Sequence, residues 1–406
     1  MNILWHSNSP ECFSGYGDQS HLFTPLIKKA GYPINISSFY GIEGHSVINS
    51  DGIVELPRST DAWSNLIIQA HMQYTKSDVC ITLIDPFVLD SNIYKTFPNI
   101  MWCPLDSDPA MPENINAMQS GTRLWAMSHF GEYLLNKAGF TNFDYVPHGT
   151  NTDEFKPIDR KTAREEFSEI FKVDLEGKFL INTVAANKGR PNRKNLGMEI
   201  ELFSIFNQKY PNSLLYLHTE PQGVFQGENL IAVAQAFGVK DKVLFPSQYK
   251  VICGLYDNSY LNMIYNASDV SLFLSRGEGF GIGLISSQAA GCPVIAVNFS
   301  AMRELAQEVG ILIDCSLYQF TPPVFQAIPL MDSALQALES AYTYCDTSHE
   351  DYYPEWRDES RMFGLTYDHR LVFDKYMKPS LKNFENYLES KKQEEEIIVV
   401  SPKDKQ

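Results

Sequence analysis

The chain has 406 residues, 44% of them hydrophobic, which is ample for packed cores and corresponds to two or three domains of about 150 residues. Its 33 Lys and Arg against 49 Asp and Glu give a formal net charge of −16, which disfavours binding to nucleic-acid phosphates and to anionic membrane surfaces. No run approaches the ~20 apolar residues of a membrane span, and the N-terminus lacks a secretory pattern, so we expect a cytoplasmic protein without stable membrane insertion.

Short apolar segments alternate with helical patterns through the first part of the chain. Strands are predicted at 2–5, 34–39, 78–84, 100–104 and 122–128, and helices at 22–30, 63–74 and 130–137. This alternation is typical of parallel β-α units with helices on both faces of a sheet. We therefore expect a first doubly wound α/β domain over residues 1–157.

A second series of the same kind follows. Strands are predicted at 178–184, 214–218, 242–245, 269–274 and 293–297, and helices at 198–207, 230–237 and 283–290. The predicted organisation is a linker helix at 158–176, a second doubly wound domain at 177–366, a C-terminal helix at about 367–390 that could pack back on the first domain, and a mobile charged tail at 391–406. The seven cysteines contain no CxxC pair, which argues against a disulfide framework and a structural zinc site.

The densest candidate site is a glycine-rich segment between a predicted strand and a predicted helix. Its glycines are Gly277, Gly279, Gly281 and Gly283. They allow backbone amides to approach a ligand closely, and the helix N-terminus behind them favours an anion such as a diphosphate. A carboxylate at Glu278 is unfavourable beside an anion unless it binds another part of the ligand, such as sugar hydroxyls. The alternative is a strand-to-helix turn that binds nothing.

A second candidate is a basic cluster directly after the strand predicted at 178–184. Its cations are Lys188, Arg190, Arg193 and Lys194. Open parallel sheets bind ligands at the carboxyl ends of their strands, where these cations could neutralise a leaving diphosphate. The alternative is a solvated basic loop.

Two other patterns give weaker indications. Gly15-Tyr16-Gly17 follows the first strand, but Ser20 stands where a dinucleotide-binding fingerprint has its third glycine, which disfavours a nicotinamide enzyme. Asp106-Ser107-Asp108 has the spacing of an Asp-x-Asp motif that binds a divalent cation, but a three-residue pattern is frequent by chance. We expect no metal site.

Several motifs occur together and in order along the chain. They are Val146–Pro157 (VPHGTNTDEFKP), Arg193-Lys194-Asn195, Tyr265–Val270 (YNASDV), Gly277–Gly281 (GEGFG), Ala290–Ala296 (AGCPVIA) and Arg303-Glu304-Leu305. This set resembles the retaining GT-B glycosyltransferases of the GT4 family (glycosyl transferases group 1). The resemblance covers most of the chain, and several motifs in register are more specific than any single one.

The resemblance implies two Rossmann-like domains facing a central cleft and a metal-independent transfer from a nucleoside-diphosphate sugar, UDP- or GDP-linked, with no separate cofactor. In such a site Arg193 and Lys194 would hold the diphosphate. Glu278 would contact hydroxyls of the donor sugar. The other implied donor contacts are Lys188, the backbone of Gly279, Phe280 and Gly281, and Gly15 and Gly17 from the opposite domain.

The chain departs from the family pattern at two positions. The second glutamate of the family, which grips the ribose hydroxyls, is replaced by Ser286, whose hydroxyl cannot give a bidentate, charge-assisted grip. Glu304 could reach that site from a separate segment, whereas Gln288 points about 200° away on the same helix. The family histidine at the end of the fourth strand is also missing, and in its region we place Asp106 nearest the acceptor.

The leading hypothesis is therefore a retaining glycosyltransferase in which Glu278, Arg193, Lys194 and Asp106 serve catalysis. The competing hypothesis, motivated by Ser286 and by the missing family histidine, is an inactive GT-B-fold protein that binds a nucleotide sugar or a glycan. The acceptor stays open among a glycan, a lipid-linked sugar, a protein side chain and a modified nucleobase.

Overall fold

The apolar segments of the sequence form two mainly parallel sheets in the computed structural model, which describes residues 1–189, 191–321, 323–345 and 354–400. The first sheet contains β1 (Ile3–Asn8), β2 (Ile34–Tyr40), β3 (Val47–Ile48), β4 (Val54–Leu56), β5 (Val79–Leu83), β6 (Asn99–Cys103), β7 (Arg123–Ala126) and β8 (Phe143–Tyr145). Its spatial order is β3-β4-β2-β1-β5-β6-β7-β8, and every pair is parallel except β3 with β4. Its helices are α1 (Gly15–Lys29), α2 (Ile68–Thr75), α3 (Ser91–Tyr94), α4 (Pro112–Met118) and α5 (His129–Lys137).

Helix α1 begins directly after a residue whose side chain caps its first turn. The Ser14 hydroxyl accepts a hydrogen bond from the amide of Gly17, which satisfies one of the free amides of the first turn. Helix α2 begins five residues later than the predicted 63–74. The carboxylate of Asp61 accepts hydrogen bonds from the amides of Asn65 and Leu66, which holds this stretch in a turn ahead of the helix.

The second sheet contains β9 (Phe179–Val184), β10 (Ser213–His218), β11 (Val243–Leu244), β12 (Val270–Phe273), β13 (Val294–Val297) and β14 (Ile311–Ile313). It is parallel throughout, with the spatial order β11-β10-β9-β12-β13-β14. The helices of this part are α6 (Arg160–Phe171), α7 (Leu196–Lys209), α8 (Leu230–Ala236), α9 (Gln248–Ile252), α10 (Asn258–Ala267), α11 (Ile282–Ala289), α12 (Ser300–Ala306), α13 (Met331–Tyr344) and α14 (Pro354–Leu365). An antiparallel hairpin, β15 (Cys315–Thr321) with β16 (Val324–Pro329), was not predicted from the sequence.

The segment expected to be a linker, 158–176, packs as part of the second domain. In α6 the Arg160 guanidinium lies 2.8 Å from the buried carboxylate of Asp269, at the start of β12. The Phe167 ring lies edge-on against Tyr216 of β10, with centroids 5.8 Å apart. Burial of this apolar face against the sheet fixes the helix there.

The C-terminal helices of the described part pack on the first domain. Helix α15 (His369–Val372) and a π-helical turn at Phe373–Met377 lead into α16 (Lys378–Val400). The Trp125 indole donates to the Ser380 hydroxyl at 2.7 Å, and the N-terminal amine of Met1 lies 2.9 Å from Glu385. Helix α16 extends into the segment 391–406 that we expected to be a mobile tail, and residues 401–406 lie outside the described part.

Two crossing segments connect the domains and pair with each other. The amide of Thr150 donates to the carbonyl of Tyr367 at 2.9 Å, and the amide of His369 donates back to the carbonyl of Thr150 at 3.0 Å. A Cβ at Gly149 would lie 2.6 Å from Cα of His369, so only glycine allows this approach. Among the helices of the described residues, none is long and apolar enough to cross a bilayer.

Candidate active site

The site lies where the strand order of each sheet reverses. In the first sheet β1 stands between β2 and β5, and in the second sheet β9 stands between β10 and β12. Connections leave such strands in opposite directions, which opens a crevice at their carboxyl ends. The segments after β1, β5, β6, β9 and β12 carry the candidate residues described below.

Three charged side chains meet on the wall formed by the second domain. Glu278, after β12, forms ion pairs with both cations that follow β9: its Oε2 lies 3.1 Å from the Arg193 guanidinium, and its Oε1 contacts the Lys194 ammonium. Arg193 also donates to the carbonyl of Gly277. The structure therefore brings together the two strongest sequence candidates.

Hydrogen bonds fix the backbone of both loops. The amide of Arg276 donates to the carbonyl of Arg193 at 2.8 Å, and the Asn195 side chain donates to the carbonyl of Leu274 at 2.7 Å. The amide of Glu278 donates to the Ser300 hydroxyl at 2.9 Å. The charged groups are thus preorganised, as electrostatic catalysis requires.

The ion pairs determine the charge state of this wall. Burial by itself would raise the pKa of Glu278, but the charges of Arg193 and Lys194 outweigh it and lower that pKa to about 2. Burial and the neighbouring Arg193 lower the pKa of Lys194, while Glu278 opposes them. The carboxylate of Glu278 is therefore ionised at neutral pH and matched by two cations.

The wall formed by the first domain is acidic. Asp106, after β6, lies 3.5 Å from the Arg193 guanidinium, and Asp85, after β5, accepts a hydrogen bond from the Tyr16 hydroxyl at 3.2 Å. Burial raises the pKa of Asp106, opposed by Arg193. Burial and the charge of Asp106 raise the pKa of Asp85 to about 6, opposed by Arg193.

Sequence reasoning placed Asp106 here but missed Asp85 and Tyr16. Asp85 directly follows the apolar run 79–84, so its position at the carboxyl end of a buried strand was a usable indication. Tyr16 stands between Gly15 and Gly17, and this segment was interpreted through its glycine backbone and not through the Tyr16 side chain.

Glycines allow the two walls to approach each other closely, because they carry no side chain. A Cβ at Gly277 would lie 2.0 Å from the carbonyl oxygen of Asp106, and one at Gly279 would lie 2.7 Å from Cα of Pro104. Across the cleft, a Cβ at Gly15 would lie 3.2 Å from the Ile282 side chain. We attributed these glycines to ligand approach, and the structure shows that Gly277 and Gly279 are also required for contact between the domains, whereas a Cβ at Gly15 would meet only the flexible end of the Ile282 side chain.

The other glycine-loop residues have local roles. A Cβ at Gly17 would lie 2.1 Å from the carbonyl oxygen of Cys12, so this glycine is needed within its own loop. Gly281 has φ 112°, a conformation that other residues rarely adopt, at the start of α11. Phe280 is buried and packs on the His148 ring, with centroids 5.3 Å apart.

The unpredicted hairpin reinforces the contact between the domains. The amide of Asp108 donates to the carbonyl of Phe325 in β16 at 3.1 Å, and the amide of Phe325 donates back at 3.0 Å. The Asp108 carboxylate is turned to Lys137 at 2.5 Å, away from Arg193, the partner of Asp106. The two carboxylates of the Asp-x-Asp pattern thus have separate partners, and the described ranges hold no cluster of three side chains suited to a metal ion.

Lys188 lies apart from this ion-pair network. It is exposed, and its ammonium lies 5.6 Å from the centroid of the Phe225 ring. Arg190, between Lys188 and Arg193 in sequence, is outside the described residues.

The residues considered for the ribose are engaged elsewhere. Ser286 is buried, and its hydroxyl shares a hydrogen bond of 2.9 Å with the Thr150 hydroxyl. Gln288 donates to the carbonyl of Leu305 at 2.8 Å. Glu304 accepts a hydrogen bond from the amide of His129 at 2.9 Å, which ties it to the start of α5.

Comparison with known proteins agrees with this arrangement. Residues 185–319 match the family model "Glycosyl transferases group 1". A D-inositol 3-phosphate glycosyltransferase of Segniliparus rotundus is 27% identical over 176 residues, 42% of this chain and 35% of that protein. A mannosylfructose-phosphate synthase of Agrobacterium fabrum is 26% identical over 170 residues, 40% and 34% of the two chains. The aligned region thus spans about a third of these relatives.

Solved structures resemble the chain over almost its full length. The sucrose-phosphate synthase of Thermosynechococcus elongatus has a TM-score of 0.72 at 14% identity and covers 95% of this chain and 100% of its own. HepE of Anabaena, solved in complex with UDP-glucose, has a TM-score of 0.69 at 13% identity, with 94% and 100% covered. The predicted fold is confirmed: the chain has the GT-B fold of two Rossmann-like domains.

Proposed function

We propose that this chain is a retaining glycosyltransferase that moves a sugar from a UDP- or GDP-linked donor to an acceptor hydroxyl. The observation that carries the proposal is the convergence of Arg193, Lys194 and Glu278 at the point where the strand orders of the facing sheets reverse. Cations on the wall of a cleft can neutralise a leaving diphosphate, and a carboxylate beside them can bind sugar hydroxyls.

In the proposed reaction the bond between the anomeric carbon and the diphosphate oxygen breaks. The acceptor oxygen forms its bond to that carbon on the same face, and the acceptor proton passes to the departing diphosphate. Arg193 and Lys194 stabilise the charge that develops on the leaving group, and the chain contributes chiefly position and electrostatics. The donor loops also support this role, because hydrogen bonds already hold their backbones in place.

The proposal assigns the work of a divalent cation to Arg193 and Lys194. It is supported by the divergence of Asp106 and Asp108, whose carboxylates have different partners. Activity should therefore survive excess EDTA. Complete loss that Mn²⁺ or Mg²⁺ restores would contradict this part of the proposal.

The alternative is a protein that binds nucleotide sugars without turnover. The contact between Ser286 and Thr150 favours it, because that hydroxyl is already paired where the family has a ribose-binding glutamate. A panel of UDP- and GDP-sugars separates the two functions. An enzyme releases nucleoside diphosphate from one donor at a rate that depends on protein concentration, whereas a binding protein gives saturable binding and no release.

The cellular setting is proposed to be the cytoplasm. Cys12, Cys80, Cys103, Cys253, Cys292 and Cys315 are free thiols, as expected in a reducing compartment. The names of similar proteins include phosphorylated compounds, such as D-inositol 3-phosphate and sucrose-phosphate. Because those names describe other proteins, we infer the acceptor class of this chain from the residues of its own cleft.

A further inference from the structure

The first domain contributes a carboxylate to the cleft that no motif assigns. Asp85 lies in the segment that follows β5, the strand next to β1 in the sheet. Its side chain accepts the Tyr16 hydrogen bond, and the charges of Asp106 and Arg193 both act on it. It therefore shares one space with the proposed catalytic groups, on the wall opposite Glu278.

The loops at this edge of the first sheet are strongly acidic. The segments that follow β1, β2, β4, β5 and β6 carry the carboxylates Glu11, Glu43, Asp61, Asp85, Asp90, Asp106 and Asp108. Arg58 is the single Lys or Arg residue in these segments, and its guanidinium lies 3.4 Å from the Glu43 carboxylate. These segments therefore contain no unpaired Lys or Arg that could bind an anionic acceptor.

The cations on the opposite wall are already committed. Arg193 and Lys194 pair with Glu278, and in the proposed reaction they also neutralise the donor diphosphate. A second phosphate beside the reacting hydroxyl would meet Asp85 and Asp106 instead, and like charges at short range in a partly buried site repel strongly.

We propose that the acceptor is a neutral or cationic hydroxyl compound with no phosphate or carboxylate beside the reacting hydroxyl, and that Asp85 is the acceptor-binding residue that selects it. A carboxylate accepts hydrogen bonds from hydroxyl or ammonium groups and rejects anions. The inference rests on the proposed function and deepens it, because it names the substrate class for the same cleft. It separates this chain from relatives that are named for phosphorylated compounds.

Matched pairs of compounds test the inference with the full chain. The pairs are myo-inositol with D-inositol 3-phosphate, fructose with fructose 6-phosphate, and glucose with glucose 6-phosphate. The donor is the UDP- or GDP-sugar that the protein hydrolyses fastest, and the rate of sugar transfer is measured. We expect the neutral member of at least one pair to be used about tenfold or more faster than its phosphorylated partner. Equal rates within every pair, including no transfer to either member, or preference for the phosphate, would overturn the inference.

Variants locate the selection at Asp85. Asp85→Asn keeps the shape and removes the charge, so it should reduce the neutral-to-phosphorylated rate ratio about tenfold. Tyr16→Phe removes the hydrogen bond but keeps the charge, so it should preserve the ratio. Glu113→Gln makes the same charge change on an exposed side chain of α4, outside these loops, and should leave the ratio unchanged. An unchanged ratio in folded Asp85→Asn would remove Asp85 from acceptor selection.

Donor hydrolysis and acceptor preference distinguish a failure of the proposed function from a failure of the inference about the acceptor. If the wild-type chain hydrolyses none of the donors, the proposed function is contradicted. Hydrolysis combined with preference for a phosphorylated acceptor would leave that function intact and defeat only this inference.

Discussion

The C-terminal wall of the cleft takes two cations and a carboxylate from two neighbouring loops, whereas the N-terminal wall takes Asp85 and Asp106 from two separate loops and Tyr16 from the first turn of α1. The C-terminal residues stand in runs of glycine and basic residues whose physical purpose can be stated from sequence. Each N-terminal residue stands alone after a strand or in a helix start. The residues proposed to bind the donor are therefore encoded in local sequence runs, whereas those proposed to bind the acceptor are brought together by the topology of the sheet.

The largest expected effect is on the C-terminal wall. Lys194→Ala should lower kcat by a factor of about 10² to 10³, because a preorganised positive charge is lost from the leaving group. Steady-state kinetics with the best donor measures it. Lys240→Ala removes an exposed lysine of the same domain and serves as the control. Wild-type kcat/KM in Lys194→Ala would remove this loop from the mechanism.

A tenfold effect is expected on the N-terminal wall, and only at one of two adjacent carboxylates. Asp106→Asn should lower kcat/KM about tenfold, because Asp106 contacts Arg193 and helps to orient it. Asp108→Asn should leave the kinetics nearly unchanged, because Asp108 pairs with Lys137. Equal losses in both variants, relieved by Mn²⁺, would instead indicate a shared metal site.

A smaller effect is expected where the two walls touch. Gly277→Ala places a methyl group 2.0 Å from the carbonyl oxygen of Asp106, so the walls must separate. We expect the donor KM to rise by a factor of about three to ten, since closure then costs binding energy. Solution scattering should show a larger radius of gyration. An unchanged KM and radius would mean that the domains need not approach this closely.

The smallest effect concerns stability behind the donor wall. Burial raises the pKa of Glu199 to about 8, against about 4.3 in an unfolded chain. The folded state therefore keeps a proton that the unfolded chain loses. The stability that this group contributes is complete below about pH 4 and is lost as the pH rises through about 8.

Glu199→Gln imitates the protonated form at every pH. Its melting temperature should exceed that of the wild type by an amount that grows to a few degrees between pH 5 and 8 and then levels off. Exposed Glu165→Gln on α6 should show no such trend. A constant difference across that pH range would mean that Glu199 is ionised in the folded chain.

The fold was predictable because its strands are short apolar runs, such as Phe179–Val184, that leave one arrangement of parallel β-α units. The donor side was predictable for the local reason given above. The hairpin Cys315–Pro329 was not, because β15 is largely exposed and the hairpin pairs with Asp108 in the other domain. The engagement of Ser286 by Thr150 likewise depends on a contact 136 residues apart.

The central claim is that the donor diphosphate binds between the two walls, on Arg193 and Lys194. A crystal structure of the chain with UDP or GDP, whichever binds more tightly, tests it directly. We predict diphosphate oxygens within about 3.2 Å of the Arg193 guanidinium and the Lys194 ammonium, the ordinary range of a charge-assisted hydrogen bond. A diphosphate bound instead through a metal ion at Asp106 and Asp108, or at Lys188 on the exposed loop, would contradict the account.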